Sequence, residues 1–264
     1  MVRLFYIALH LCFGFGGTIA PLISKPFLLP RLYCSENGTT TAGTNCTAGV
    51  ELTYPPDAVQ ITWTYFMMSA ILIVSAAFSL FLFIFHRETP RHPSRDVIER
   101  TDSKAPVLNQ RVKTSIVTLT SAFMFIYFGL EIAMGSLLTT FAEKSNLGMT
   151  KLDGADLTFV YWLTFSFFRV FAVFYIEYIG SEYNLYFDLL IIMVANVFLV
   201  PFGNTYRWCL WTGVPLIGIG MSSVWASVFG FLEEKYFPVT TKMTAAFTMS
   251  SCIGEFVFPF LMGK

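Results

Sequence analysis

Seven long apolar runs, parted by polar stretches, set the plan of this chain. They extend from Leu4 to Ile23, Ile61 to Phe85, Thr114 to Ala142, Thr158 to Ile179, Asn184 to Pro201, Trp208 to Leu232 and Met243 to Met262. A helix needs about 20 mostly apolar residues to cross a bilayer, so each run predicts one span. The first run follows Arg3 and invites a second reading, as a signal peptide. It is longer than the 7–15 residues of a signal core. Its Gly14, Gly16, Gly17 and Ala20 also suit close helix contact. A span is the preferred reading.

The polar stretches orient the spans. Ser24 to Ala58 holds two glycosylation sequons, at Asn37 and Asn45, which favour an outer loop. Cys34 and Cys46 share that loop, and whether they pair depends on the side it faces. His86 to Lys113 is the most charged stretch, with Arg87, Arg91, Arg95, Arg100, Lys104, Arg111 and Lys113 among three prolines. The positive-inside rule makes it cytoplasmic. It lacks apolar periodicity over a helix length and reads as a linker.

Composition agrees with this plan. Among 264 residues, 55% are hydrophobic and 13% charged, with a mean hydropathy of +0.62. Soluble domains carry about 25% charged residues. The reading is an all-α integral membrane protein with the lipid bilayer as partner. A net charge of zero gives no reason to expect nucleic acid. His10, His86 and His92 form no metal set, and no Cys/His ligand spacing occurs. No nucleophile set or phosphate-binding glycine loop appears either. The expectation is therefore no enzyme, no metal and no organic cofactor.

Candidate chemistry lies inside the spans. Glu131, Arg169 and Glu255 stand within apolar runs. A charge at the bilayer centre costs at least about 2.5 kcal/mol on insertion scales and tends to mark a pathway or a binding site. Arg169 is expected to meet at least one of the acids. A packing ion pair and a coupling or substrate site both fit that expectation. Tyr127, Glu131, Met134, Gly135 and Leu138 share one helix face, and Trp162, Ser166, Arg169 and Val173 another. An indole beside a guanidinium and a hydroxyl suits a sugar; it equally suits helix packing. Thr244, Thr248, Ser251 and Glu255 form a polar stripe on the last span. Asn196 lies on one face with Asp188, and Asp188 reads as too near the inner surface to serve a site. Gly213, Pro215, Gly218 and Gly220 make the sixth span a candidate for bending, and Pro259 for a kink.

Two segments carry a resemblance. Tyr127-Phe128-Gly129-Leu130-Glu131-Ile132-Ala133-Met134-Gly135 resembles a seventh-helix motif, Y-x-G-x-E-x-x-x-G. It belongs to the sodium-dependent glucose transporter-like proteins of the major facilitator superfamily. Val239 to Ala245, with Gly254-Glu255 and Pro259, is similar to their eleventh helix. Phe168, Ser136-Leu137 and Thr241 depart from the pattern. The resemblance implies a major facilitator bundle with seven of twelve expected spans. Residues 1–85 would be the last two helices of the N-terminal half, 86–113 the central cytoplasmic linker, and 114–264 five helices of the C-terminal half.

Hexose transport by alternating access is then the implied function, with Tyr127, Glu131, Trp162, Arg169, Asn196 and Glu255 along the substrate or ion pathway. A plasma-membrane location goes with that reading. Na+ as coupling ion stays open. The partners implied are a small sugar solute and the missing helices of the same fold. A seven-helix receptor and a non-transporting scaffold are the alternatives.

Overall fold

The computed structural model describes residues 14–27, 32–33, 51–52, 61–85 and 109–263. Helix α1 covers residues 14–24, and a 3-10 turn follows at Lys25–Phe27. Strands β1 (Leu32–Tyr33) and β2 (Glu51–Leu52) pair antiparallel, with Leu32 opposite Leu52. This short ladder is the one departure from the all-α expectation among the described residues. Then come α2 (Ile61–Phe85), α3 (Gln110–Lys144), α4 (Lys151–Ile179) and α5 (Ser181–Phe202). The chain continues with α6 (Arg207–Met221), α7 (Val224–Lys235) and α8 (Thr241–Met262). Asn37, Asn45, Cys34, Cys46 and most of the basic linker lie outside the described residues.

Among the described residues, four helical stretches are long and apolar enough to cross a membrane: α3, α5, α6 with α7, and α8. The outer faces are largely apolar, as on α2, where Trp63, Phe66, Leu72 and Phe78 are exposed. That is the surface of a protein solvated by lipid.

Helix starts follow local chemistry more closely than apolar runs do. Helix α3 begins at Gln110, where the Asn109 side chain accepts from the Arg111 backbone N–H at 3.2 Å. Helix α4 begins seven residues before the predicted Thr158, because Thr150 and Asp153 form a reciprocal capping box. Each side chain there accepts from the other's backbone N–H, satisfying two helix-end donors.

Asp153 lies in the first turn of α4, ahead of its apolar run. Chiefly the hydrogen bond from the Thr150 backbone holds its carboxyl below the usual range. A lowered folded-state pKa gives stability above the unfolded value of about 3.9, and that stability is lost as pH falls through the folded value. Thr150→Ala is expected to cost about 1 kcal/mol. Thermal melts at pH 7 and at acid pH check this: the difference from wild type should shrink in acid.

Packing is set by close approach. Helix α3 runs centrally, with α8 and α4 against it; α4 also meets α6, and α5 meets α6 and α7. At the α3–α8 crossing, a Cβ on Gly254 would collide with the Phe125 backbone carbonyl oxygen. Such contacts are how helices pack in lipid, where small residues let backbones approach. Helix α1 docks on α4: the Thr18 and Ser166 hydroxyls lie 3.3 Å apart, and Lys25 meets Asp156 at 2.5 Å. Helices α4 and α5 are joined by Gly180 alone, whose φ of 86° favours glycine.

Candidate functional site

The predicted sixth span is two helices. Helix α6 stops at Met221 and α7 starts at Val224, leaving Ser222 and Ser223 between them. Ser222 gives both its backbone N–H and its hydroxyl to the Ile219 carbonyl, at 3.1 and 2.7 Å. Serine hydroxyls that compete for backbone acceptors in this way disturb a helix. Tight contacts flank the break. A Cβ on Gly218 would strike the Thr164 hydroxyl, and one on Gly220 would lie 2.9 Å from the Asp188 carbonyl.

Interrupting a helix in hydrocarbon exposes carbonyls that need donors. Two side chains from neighbouring helices supply them. The Tyr127 hydroxyl on α3 donates to the Met221 carbonyl at 2.7 Å. Arg169 Nε on α4 donates to the Ser222 carbonyl at 2.6 Å. The guanidinium also lies over the Phe165 ring, 4.1 Å from its centroid, a cation–π contact. Tyr161 donates to the Glu131 backbone carbonyl at 3.3 Å, with Met221 Sδ at 3.4 Å.

Glu131 sits in the midst of these groups and is fully buried. Neither of its carboxylate oxygens has a hydrogen-bond partner. The Tyr127 hydroxyl lies beside the carboxylate, but its proton goes to Met221. Arg169 interacts with Glu131 through space and gives its Nε–H to backbone instead. Arg169 thus meets this acid electrostatically, with no direct hydrogen bond to its carboxylate.

A second polar group adjoins the first. The Asp188 Oδ2 atom accepts from Ser223 Oγ at 2.7 Å and from Asn184 Nδ2 at 3.2 Å. Asn184 Nδ2 also reaches Ser223 Oγ at 3.0 Å and Ser227 Oγ at 2.6 Å. Asp188 and Asn184 are each 1% exposed. Asp188 faces the bundle interior and interacts electrostatically with Arg169.

The structure thus brings Tyr127, Glu131 and Arg169 together at the break. Trp162 stands two turns along α4 from Arg169, its ring against Gly135 and at 5.0 Å from the Tyr161 ring centroid. Glu255 is half-buried on α8, within electrostatic reach of Glu131. Asn196 is not brought to this group. It is exposed on α5, its amide turned back to its own helix at the Ile192 carbonyl, 2.9 Å away. That bond satisfies the donor locally and leaves the residue on the outer face. Asp188 is the opposite case: nearness to the span's start did not keep it out of the interior. Tyr161, Asn184, Ser223 and Ser227 were missed by sequence reasoning. The Asn184–Asp188 spacing of four was the available signal, because it stacks two polar groups on one face.

The family model of the major facilitator superfamily matches residues 6–259. The chain belongs to the major facilitator superfamily. Members are membrane transporters, not enzymes, and this membership sets aside the seven-helix receptor. Among its relatives, the mouse (Mus musculus) sodium-dependent glucose transporter 1A is 25% identical, over 97% of this chain and 59% of the relative. The human (Homo sapiens) sodium-dependent glucose transporter 1 is 23% identical, over 97% and 48%. The Xenopus laevis protein of the same name is 25% identical, over 97% and 50%. This major facilitator chain therefore spans about half the length of the curated relatives it matches. No solved structure matches it.

Proposed function

We propose that this chain forms part of a transport path for a small polar solute, most naturally a hexose, moved by alternating access in the plasma membrane. Na+ is the proposed coupling ion, and helices of the same fold complete the path. The observation that carries the reading is the buried Glu131, with two acceptor oxygens left without donors at a helix break. Sugar hydroxyls are donors of the kind such oxygens take. Discontinuous helices at mid-membrane are where transporters place substrate and ion sites. The relatives' names, which speak of sodium and glucose, support the same choice. Arg169 holds the charge of the site in balance, and Trp162 offers an apolar ring within two turns.

The test is uptake of labelled hexose by cells that express the chain together with helices completing the fold, in Na+ and in choline medium. Uptake above control cells, dependent on Na+, is expected. Glu131→Gln should lower it roughly 10- to 100-fold, the worth of a hydrogen bond to a charged group, about 1.5–3 kcal/mol. Uptake untouched by that change would sink the reading. A folded, surface-located chain that moves no hexose would favour the scaffold.

A further inference from the structure

We propose that α1 is a movable cover over a pyranose subsite on α4, formed by the Trp162 ring and the Ser166 hydroxyl. The subsite rests on the transport reading above; the cover rests on packing alone. Trp162, Ser166 and Thr18 are all buried. The backbone of α1 lies directly on the indole. A Cβ on Gly17 would stand 2.6 Å from Trp162 Cδ2, and one on Gly14 would strike Ser166 Oγ. At the other end of the ring, a Cβ on Gly135 of α3 would stand 2.5 Å from Trp162 Cζ2. The ring is thus held between α1 and α3, one helical turn along α3 from Glu131.

The seam between α1 and α4 can part without stranding a donor. Both hydroxyls at it keep their protons within their own helix. Thr18 Oγ1 donates to the Gly14 carbonyl at 2.9 Å, and Ser166 Oγ to the Trp162 carbonyl at 2.7 Å. Their approach to 3.3 Å therefore carries no proton, and separation leaves no buried group unsatisfied. Ser24, at the end of α1, likewise bonds to the Ala20 and Pro21 carbonyls. Glycines give the indole a smooth face, with no side chain to withdraw. A clasp closes the end of the seam: Lys25 meets Asp156 at 2.5 Å, with the side chains 35% and 40% exposed. An ion pair so open to water is weak. What α1 uncovers suits a sugar ring. The indole face is electron-rich and takes the polarised C–H groups of a pyranose. Ser166 Oγ, one turn along and with its own proton engaged, accepts from a ring hydroxyl. In the covered state the Gly17 backbone and the Thr18 hydroxyl hold those two places, so α1 and the sugar exclude each other.

The experiment joins α1 to α4 in the whole chain, expressed with helices completing the fold. Thr18→Cys with Ser166→Cys places two thiols where the hydroxyls now meet, and copper phenanthroline oxidises them. Cross-linking above that of either single variant is expected, read by mass spectrometry. Asp156→Lys should slow it roughly threefold, the scale of an exposed pair, and Lys25→Asp added to it should restore the rate. Glucose should slow it severalfold, by favouring the uncovered state; sorbitol, which has the hydroxyls without the ring, should not. Alkylation of Ser166→Cys alone by a water-soluble maleimide guards against misfolding of the pair, and Asp156→Lys should speed it by a similar factor. Absence of the cross-link in a folded pair, or cross-linking and alkylation both indifferent to Asp156→Lys, would overturn the cover. Rates indifferent to glucose while uptake proceeds would overturn the subsite and spare the transport reading. Protection by glucose in a chain that moves none would count against the transport reading alone.

Discussion

Replacing Arg169 with leucine is expected to destabilise the chain by about 3–5 kcal/mol, the usual cost of stripping a partner from buried charge. Three losses coincide. The Ser222 carbonyl loses its Nε donor, the Phe165 ring loses its cation, and two buried acids lose the charge between them. Adding Glu131→Gln to Arg169→Leu should recover part of the loss, because the double variant buries one charge fewer. Thermal melts of the four proteins in a double-mutant cycle measure this. A single variant that melts with wild type would show that the guanidinium does not hold the break together. An additive cycle would show that Arg169 and Glu131 do not sense each other.

Substituting Gly254 with valine is the second change expected to act strongly. Its Cβ would land on the Phe125 carbonyl oxygen, with the Phe125 Cα at 3.2 Å. On the facing helix, a Cβ on Gly129 would lie 2.9 Å from the Gly254 carbonyl. Each glycine therefore lies against the other helix's backbone, and backbone cannot swing aside as a side chain can. Overpacking costs about 1–3 kcal/mol, occasionally more, and a backbone obstacle puts this case at the upper end. Gly129 is also two residues from Glu131, so a parting of α3 and α8 would disturb the acid as well. Gly16→Ala is the control, since nothing lies within 4 Å of the added atom. Monodispersity on size exclusion and melting temperature should fall for Gly254→Val and hold for Gly16→Ala.

Much of the bundle could be read from apolar run length, because lipid demands long helices and little else. The ends could not be read from it, as α4 shows: the Thr150–Asp153 box starts the helix in polar sequence. Tyr127, Glu131 and Arg169 were legible because polar groups in hydrocarbon stand out singly. Asn196 stands out in the same way but lies apart from them, its amide bonded to its own helix. The helix break was only half legible. Glycines and Pro215 marked α6 as a place to bend, but two ordinary serines beyond them made the interruption. Their effect depends on donors from α3 and α4, which no local pattern carries.

The interrupted helix also acts as a latch. Its two freed carbonyls are held by a phenol from one helix and a guanidinium from another. Straightening α6 and α7 into one rod would take both acceptors back and strand two donors in a dry interior, at a cost of several kcal/mol per group. Any motion that rocks α6 and α7 must then carry α3 and α4 along, or find both donors a new acceptor at the same moment. The orphaned carboxylate of Glu131, which interacts with both, is an acceptor in place to receive them.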